Sequence, residues 1–133
     1  MAAMPRTRRA ATAASSSPSF RRHLAPQHKL WLTWDDEFLM GPRYLRFLEA
    51  VERAGTIRAG GRAVGWSYRT CLNRIREMER VLGVRVLATT RGGRAGGSAR
   101  LTEPARALVR IFGRWRRGVE RLSRAAFRRS LGR

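Results

Sequence analysis

The chain of 133 residues has little cysteine, almost no lysine and few acidic residues. Cys71 is its only cysteine, which excludes an intrachain disulfide and a thiolate cluster for zinc. No stretch approaches the roughly 18 uninterrupted apolar residues of a membrane-spanning helix. These absences predict a small, soluble, intracellular protein of about one domain, with no metal site and no contact with a membrane.

Positive charge dominates what is present. Lys and Arg number 29 against 9 Asp and Glu, a formal net charge of +20, and Lys29 is the only lysine. Residues 1–40 carry six basic and three acidic residues, whereas residues 41–133 carry 23 and six. A polyanion relieves self-repulsion of this size, so nucleic acid is the first partner to test. The hydrophobic fraction of 43% still allows a small core.

The first 28 residues differ in composition from the rest. They contain no acidic residue, and residues 12–19 consist of Ala, Thr, Ser and Pro. Such a segment cannot bury enough apolar surface to offset its ordering entropy, so residues 1–28 are predicted to form a disordered basic arm. The composition also matches an organelle transit peptide, or extra residues from a predicted translation start that lies too far upstream. We expect one folded domain over 29–101 and a C-terminal linker or dimerisation helix over 102–133.

Helix signals recur in the middle of the chain. A strand over Leu30–Trp34 is followed by a helix that begins near Pro42 and ends at Gly55. Thr56 is predicted to cap a short helix that ends at Gly65. Ser67 is predicted to cap a longer one that ends at Gly83, and its apolar positions form one stripe: Cys71, Leu72, Ile75, Met78 and Leu82.

The short helix, the three-residue connection and the longer helix have the layout of a helix-turn-helix motif. In that motif the N-terminal side chains of the second helix project into the major groove. Arginine there pairs with guanine and asparagine with adenine, while serine and threonine bind several bases. The predicted DNA-binding residues of this helix are Ser67, Tyr68, Arg69, Thr70, Asn73 and Arg74. An ordinary polar helix face is the alternative for this helix taken alone.

A glycine-rich hairpin follows the predicted recognition helix. Strands are expected over Val84–Leu87 and Ala99–Leu101, and the eleven residues between them include four glycines and two arginines. A basic hairpin in this position is typical of a wing that contacts the DNA backbone or minor groove. Its predicted DNA contacts are Arg91, Gly92, Gly93, Arg94 and Ser98. A nucleotide-binding loop is disfavoured because no GK[ST] or GxGxxG motif is present.

The last helix is predicted to begin at Glu103, capped by Thr102. Its apolar residues follow a heptad pattern: Ala105, Leu108, Phe112, Trp115, Val119, Leu122 and Ala126. Val109 and Ile111 are expected to pack on their own domain. An apolar stripe that extends beyond the core needs a partner to cover it, so we expect a homodimer. Its predicted contacts are Leu108, Phe112, Trp115, Val119 and Leu122. A terminal helix packed wholly on its own chain is the alternative.

The expected fold is therefore mainly α with a small β-hairpin wing: a winged helix-turn-helix with a long C-terminal dimerisation helix. Residues 44–112 resemble the winged helix-turn-helix domain of LysR-type regulators. The similar stretches are Phe47–Val51, Gly55–Ile57, Arg62–Val64, Ile75–Leu82, Gly83–Leu87 and Leu101–Leu108. The segments Trp66–Thr70 and Gly92–Ala99 resemble the N-terminal DNA-binding domain of molybdate-responsive ModE-type regulators.

This resemblance covers about residues 29–127. It implies a dimeric transcriptional regulator with its recognition helix at 67–82 and its wing at 90–99. ModE-type proteins bind molybdate in additional C-terminal domains, whereas this sequence ends with the predicted dimer helix. No cofactor and no small-molecule effector site are therefore expected. Gly60 and Gly61 stand together in the short helix, which predicts either a less rigid motif or a close helix contact.

The leading hypothesis is a sequence-specific regulator of double-stranded DNA, cytoplasmic and associated with the nucleoid. One alternative is an architectural DNA- or RNA-binding protein that uses charge without reading bases. Another is an accessory that forms heterodimers with a larger regulator. An enzyme is not expected, because His23 and His28 lie apart in sequence from Cys71 and no nucleophile–base arrangement can be assembled. The consecutive acids Asp35–Glu37 point in different directions and are expected at the surface.

Overall fold

The computed structural model describes residues 18–91 and 97–132. In chain order their elements are α1 (Pro18–Arg22), β1 (Leu32–Trp34), β2 (Glu37–Met40), α2 (Pro42–Ala54), α3 (Ile57–Val64), α4 (Tyr68–Leu82), β3 (Leu87–Thr90), β4 (Ser98–Leu101) and α5 (Glu103–Leu131). The chain divides into a unit from Lys29 to Glu120 and a second unit formed by the two chain ends. The expected fold class, with its hairpin and long C-terminal helix, is confirmed.

The three central helices begin and end where their capping residues predict. The Thr56 side chain accepts a hydrogen bond from the Ala59 amide at 3.2 Å, and Ser67 accepts one from the Thr70 amide at 3.1 Å. Both bonds satisfy amide groups that have no partner within the first helical turn. The helices close on glycines with left-handed backbone angles, Gly55, Gly65 and Gly83.

The adjacent glycines of α3 mark a close helix contact. A Cβ atom on Gly60 would lie 2.5 Å from Cγ2 of Val51 in α2. A Cβ atom on Gly61 would lie 2.6 Å from the sulfur of Cys71 in α4. The short helix can therefore lie tightly against both neighbours because neither position has a side chain. Val51 and Cys71 are fully buried, and the interpretation of Cys71 as a core residue is confirmed.

The second hairpin joins β3 and β4, with Leu87 opposite Leu101 and Thr90 opposite Ser98. Its first strand begins at Leu87, so the strand predicted from Val84 is wrong at its start. The physical reason lies at Val86, whose amide donates to the Glu79 carboxylate and whose carbonyl accepts from the Thr102 amide. Strand β4 is also attached to α2, because its Ala99 amide donates to the Gly55 carbonyl at 2.7 Å.

The N-terminal part contains elements that the sequence did not predict. Strand β1 is shorter than expected and pairs with β2, which was not expected at all. Asp35 and Asp36 join the two strands with φ values of 45° and 67°, a left-handed conformation that aspartate tolerates. Helix α1 lies within the segment predicted to be disordered. Residues 1–17 of that predicted arm lie outside the described residues.

Helix α5 begins at Glu103 as predicted, and its Ala105 amide donates to the Thr102 hydroxyl at 3.4 Å. Two details of its apolar pattern need correction. Phe112 is fully buried in the core of its own unit, so its ring is not available to a partner. Ile111 was expected to pack on its own domain and is 57% exposed, because it lies 100° around the helix from Phe112. Among the described residues no helix is long and apolar enough to cross a membrane.

Candidate nucleic-acid interface

The turn between α3 and α4 is fixed by contacts with α2. The Trp66 ring lies 5.1 Å from the Tyr44 ring and 5.3 Å from the Phe47 ring. The Arg43 guanidinium donates a 2.5 Å hydrogen bond to the Val64 carbonyl at the C-terminal end of α3, where a cation is favoured. The angle between the two helices is thus held by an aromatic cluster as well as by Gly65. This arrangement directs the N-terminal end of α4 outward.

The predicted recognition residues lie on the surface of that end. Arg69, Asn73 and Arg74 are exposed, and Tyr68 is 43% exposed. The opposite side of α4 is formed by Cys71, Ile75 and Met78, which are buried. The helix therefore presents arginine and asparagine side chains, which can bind base edges, on the side away from the core.

Ser67 and Thr70 together form the N-terminal cap of α4. The sequence predicted this role for Ser67 but not for Thr70. The Ser67 hydroxyl accepts from the Thr70 amide and donates to the Thr70 hydroxyl at 3.0 Å. The Ser67 proton is therefore used within the helix cap. Ser67 serves first to start α4, and Arg69, Asn73 and Arg74 are the better candidates for base contacts.

Arginines stack on aromatic rings beside the turn. The Arg58 guanidinium lies 4.4 Å from the centre of the Tyr68 ring. The Arg74 guanidinium lies 5.9 Å from the Trp66 ring and 6.0 Å from the Tyr44 ring. Such contacts attract the cation to the ring face and limit the conformations of a long side chain. Arg58 was missed by the sequence analysis, although an arginine in the first turn of the preceding helix was a signal for it.

The distribution of charge distinguishes the two ends of α4. Residues 53–76 contain six arginines and no acidic residue. At the C-terminal end, Arg80 pairs with Glu77 at 2.6 Å and with Glu37 at 2.8 Å. The hydrogen bonds from Arg80 lower the pKa of Glu77. Within residues 18–91 and 97–132, no ion pair involves Arg58, Arg69 or Arg74. Uncompensated positive charge is therefore concentrated at the N-terminal end, where a polyanion would bind.

Two glutamates attach the wing to the helices. The Glu79 carboxylate of α4 accepts from the Val86 amide at 2.8 Å and from Nε of Arg85 at 3.1 Å. The Glu52 carboxylate of α2 accepts from the Leu101 amide at 3.0 Å and from Nε of Arg106 at 3.1 Å. The bond from Leu101 is the main reason that the pKa of Glu52 is lowered. Neither glutamate was identified from the sequence.

The predicted wing contacts fall partly within the described residues. Arg91 and Ser98 are exposed on either side of the wing tip, and the Ser98 hydroxyl is hydrogen-bonded to that of Thr90. Gly92, Gly93 and Arg94 lie outside the described residues. Arg100 adds an exposed cation on β4.

The predicted dimer residues of α5 do not all face the same surroundings. Leu108 and Val119 are half-buried, whereas Trp115 is 39% exposed and Leu122 is 73% exposed. Trp115 packs edge-on against Phe112, with ring centres 5.8 Å apart. With Phe112 in the core, Ile111, Trp115 and Leu122 are the exposed large apolar residues within the described part of this helix. No group of His, Cys, Asp or Glu side chains in the described part of the chain could hold a metal ion.

Comparison with known proteins agrees with this geometry. Residues 42–106 match the family described as "Bacterial regulatory helix-turn-helix protein, lysR family". "Molybdenum-pterin-binding protein MopA" of Rhodobacter capsulatus is 38% identical over 74 residues, which cover 56% of this chain and 28% of that protein. MopB of the same organism is 35% identical over 92 residues, which cover 69% of this chain and 34% of that protein.

"Molybdenum transport protein ModE" of Azotobacter vinelandii is 32% identical over 68 residues, which cover 51% of this chain and 25% of that protein. The chain thus spans about a third or less of the length of these relatives. The matched segment begins at Pro42 and takes in the turn, α4 and the β3–β4 hairpin. Residues 42–106 therefore match a lysR-family helix-turn-helix domain, and the chain is similar to MopA, MopB and ModE.

Proposed function

We propose that this chain is a transcriptional regulator that binds specific sequences of double-stranded DNA, with α4 in the major groove. The observation that carries the proposal is the exposed N-terminal end of α4, where Arg69, Asn73 and Arg74 stand free of acidic partners among the described residues. The lysR-family match supports a DNA-binding regulator rather than an enzyme. Such a protein acts on the nucleoid in the cytoplasm.

In this proposal the two halves of the interface have different roles. Arg69 and Asn73 bind base edges and determine the sequence, since both can pair with purines through two hydrogen bonds. Arg91, Arg94 and the rest of the wing bind the sugar–phosphate backbone or minor groove and position the domain. Arg58 lies beside Tyr68 and joins the backbone contacts.

The active form is proposed to be a homodimer through α5. Ile111, Trp115 and Leu122 are exposed on this helix, and exposed apolar side chains that recur along one helix mark an interaction surface. A two-fold dimer would place two recognition helices on an inverted repeat. The names of these relatives connect them with molybdenum, which favours a role in molybdenum-related gene regulation.

The test is a selection of bound sequences from random duplex DNA with the purified chain. We expect an inverted-repeat consensus and a preference of roughly 10³-fold or more over random duplex. Arg69→Ala and Asn73→Ala should each weaken binding to the consensus by about 1–3 kcal/mol, with much less effect on random DNA. Arg94→Ala should weaken binding to both DNAs alike, because backbone contacts carry no sequence information.

Arg110→Ala is the matched control. It also removes one positive charge, but the arginine that is lost lies on α5 and is already paired with Glu103. It should leave the sequence preference unchanged. The large net charge favours one other function, an architectural DNA- or RNA-binding protein. Equal loss on every sequence for Arg69→Ala, Asn73→Ala and Arg94→Ala would support that function and refute the specific regulator.

A further inference from the structure

The β1–β2 hairpin carries an aromatic surface that the proposed DNA interface does not use. Trp31 and Phe38 are 54% and 49% exposed. Phe38 Cζ and Trp31 Cβ lie 3.9 and 4.0 Å from the position that a Cβ on Gly41 would occupy, so these two side chains are neighbours. Grouped and exposed aromatic side chains mark interaction surfaces.

The charge of the hairpin excludes DNA as its partner. It holds three of the nine acidic residues of the chain, Asp35, Asp36 and Glu37, and residues 30–42 contain no basic residue. Glu37 pairs with Arg80, whereas Asp35 and Asp36 are exposed at the turn and form no ion pair among the described residues. Phosphates would be repelled here. An apolar segment bordered by arginines fits both the rings and the carboxylates.

Helix α5 has a surface with this chemistry. Ile111 and Trp115 are one helical turn apart, 57% and 39% exposed, and lie on the same side of the helix. Arg114 borders them, is exposed, and takes part in no ion pair within the described residues. The apolar pair and the adjacent arginine complement the aromatic rings and the free carboxylates of the hairpin.

We propose that the β1–β2 hairpin binds α5 of a second copy of this chain. Trp31 and Phe38 of one protomer cover Ile111 and Trp115 of its partner, and the turn carboxylates face the partner's Arg114. The same contact made in reverse closes a two-fold dimer. The proposal rests on the proposed homodimer and names the surface that covers α5.

The exposed area is sufficient for such a contact. An aromatic side chain has roughly 150–250 Å² of surface, so the hairpin aromatics with Ile111 and Trp115 expose on the order of 500 Å² per copy. Two copies would then bury about 1,000 Å² of apolar surface. Specific interfaces bury about 1,200–2,000 Å² in total, of which a polar rim forms a large part.

The hairpin is also connected to the recognition helix. Glu37 of β2 accepts a 2.8 Å hydrogen bond from Arg80 of α4. Phe38 packs edge-on against Tyr44, which in turn contacts Trp66 in the turn, with ring centres 5.4 and 5.1 Å apart. A contact made by the hairpin would therefore orient both recognition helices of the dimer and set the spacing of the two half-sites.

The first experiment is cysteine cross-linking with a short bis-maleimide in a Cys71→Ala background. One chain carries Phe38→Cys and the other Trp115→Cys. The proposal expects a cross-linked dimer when the two chains are mixed and little from either chain alone. Efficient cross-linking of Trp115→Cys with itself, without a mixed product, would show an α5–α5 contact and overturn the proposal.

The second experiment measures the dimer dissociation constant of the full chain by sedimentation. Arg114→Glu should weaken dimerisation by about tenfold, because the new acid faces Asp35 and Asp36. Adding Asp35→Asn and Asp36→Asn should restore part of the loss, and asparagine tolerates the left-handed turn. Arg128→Glu is the control with the same change of charge and should have a smaller effect.

The outcomes separate this proposal from the proposed function. If Arg114→Glu weakens the dimer but the asparagine substitutions restore nothing, the hairpin is not the partner, while the homodimer through α5 stands. If the unmodified chain is a monomer that binds only a single half-site, the homodimer itself is wrong, and so is the hairpin contact. In both cases, the selection of bound DNA sequences tests sequence-specific binding separately from dimerisation.

Discussion

At the scale of single residues, the close contact at Gly60 determines how α3 packs. Its missing side chain lets Val51 and Phe47 of α2 approach to distances that any Cβ atom would make impossible without movement. Glycine in a helix is normally a cost in backbone entropy, and here that cost is offset by the burial of the α2 side chains. The sequence could show the two glycines but not which neighbour they touch.

Gly60→Ala should therefore destabilise the fold, although alanine is the better helix former. The added methyl group would overlap Val51, and overpacking of this kind costs about 1–3 kcal/mol. The free energy of unfolding from urea titration is the measurement.

Gly118→Ala provides the matched control. Position 118 lies in α5 with no atom within 4 Å of the added Cβ. The same substitution should stabilise the protein there, by at most about 1 kcal/mol. If both variants changed stability by the same amount and in the same direction, the close contact at Gly60 would have no energetic role.

At the scale of elements, the wing and the recognition helix are joined through Glu79. Its carboxylate lies near the end of α4 and holds the Val86 amide just before β3. Glu79→Ala would leave that amide without its partner and release the base of the wing. We expect weaker DNA binding, because the wing would have to be ordered again when it meets the backbone.

A double-mutant cycle distinguishes this role from general destabilisation. If Glu79 acts through the wing, the loss of affinity caused by Arg91→Ala should be smaller in a Glu79→Ala background than in the unmodified chain. Glu77→Ala is the control, since Glu77 lies in the same helix and pairs with Arg80 rather than with the wing. Strict additivity of Glu79→Ala and Arg91→Ala would show that the two residues act independently.

The helix-turn-helix elements could be predicted from the sequence because local signals determine them. Thr56 and Ser67 cap their helices, and glycines end them, so few long-range contacts are needed to place the boundaries. The β1–β2 hairpin could not, because β2 has only four residues and its buried Leu39 and Met40 are consecutive rather than alternating. A register shift in the hairpin puts both on the core side, and this irregularity removes the period-two signal.

The candidate site was predictable to a similar degree. Exposure of Arg69 and Asn73 follows from the apolar stripe on the other side of α4. Other features could not be predicted, because they depend on side-chain conformation or on neighbours that are distant in sequence. They are the hydrogen bond donated by the Ser67 hydroxyl, the stacking of Arg58 on Tyr68 and the burial of Phe112. A heptad pattern identifies an apolar helix face but does not say whether the same chain or another covers it.

At the scale of the whole molecule, the excess of arginine over acid predicts a strong effect of salt on binding. Each phosphate contact releases counterions, so the logarithm of the binding constant should fall linearly with the logarithm of salt concentration, by about 0.9 per contact. Removing Arg91 should lower this slope by about one, whereas Arg110→Ala should leave it unchanged, since Arg110 pairs with Glu103. Fluorescence anisotropy over a salt series measures the slope, and a slope near zero would contradict binding through phosphates.

One hydrogen bond has a consequence for motion. The Ala99 amide of β4 is bonded to the Gly55 carbonyl, so the wing strand continues into the cap of α2. Deuterium can replace the hydrogen of this amide only when the bond opens. The exchange rate of the Ala99 amide should therefore follow the opening of α2, and the base of the wing would open only as often as the core does.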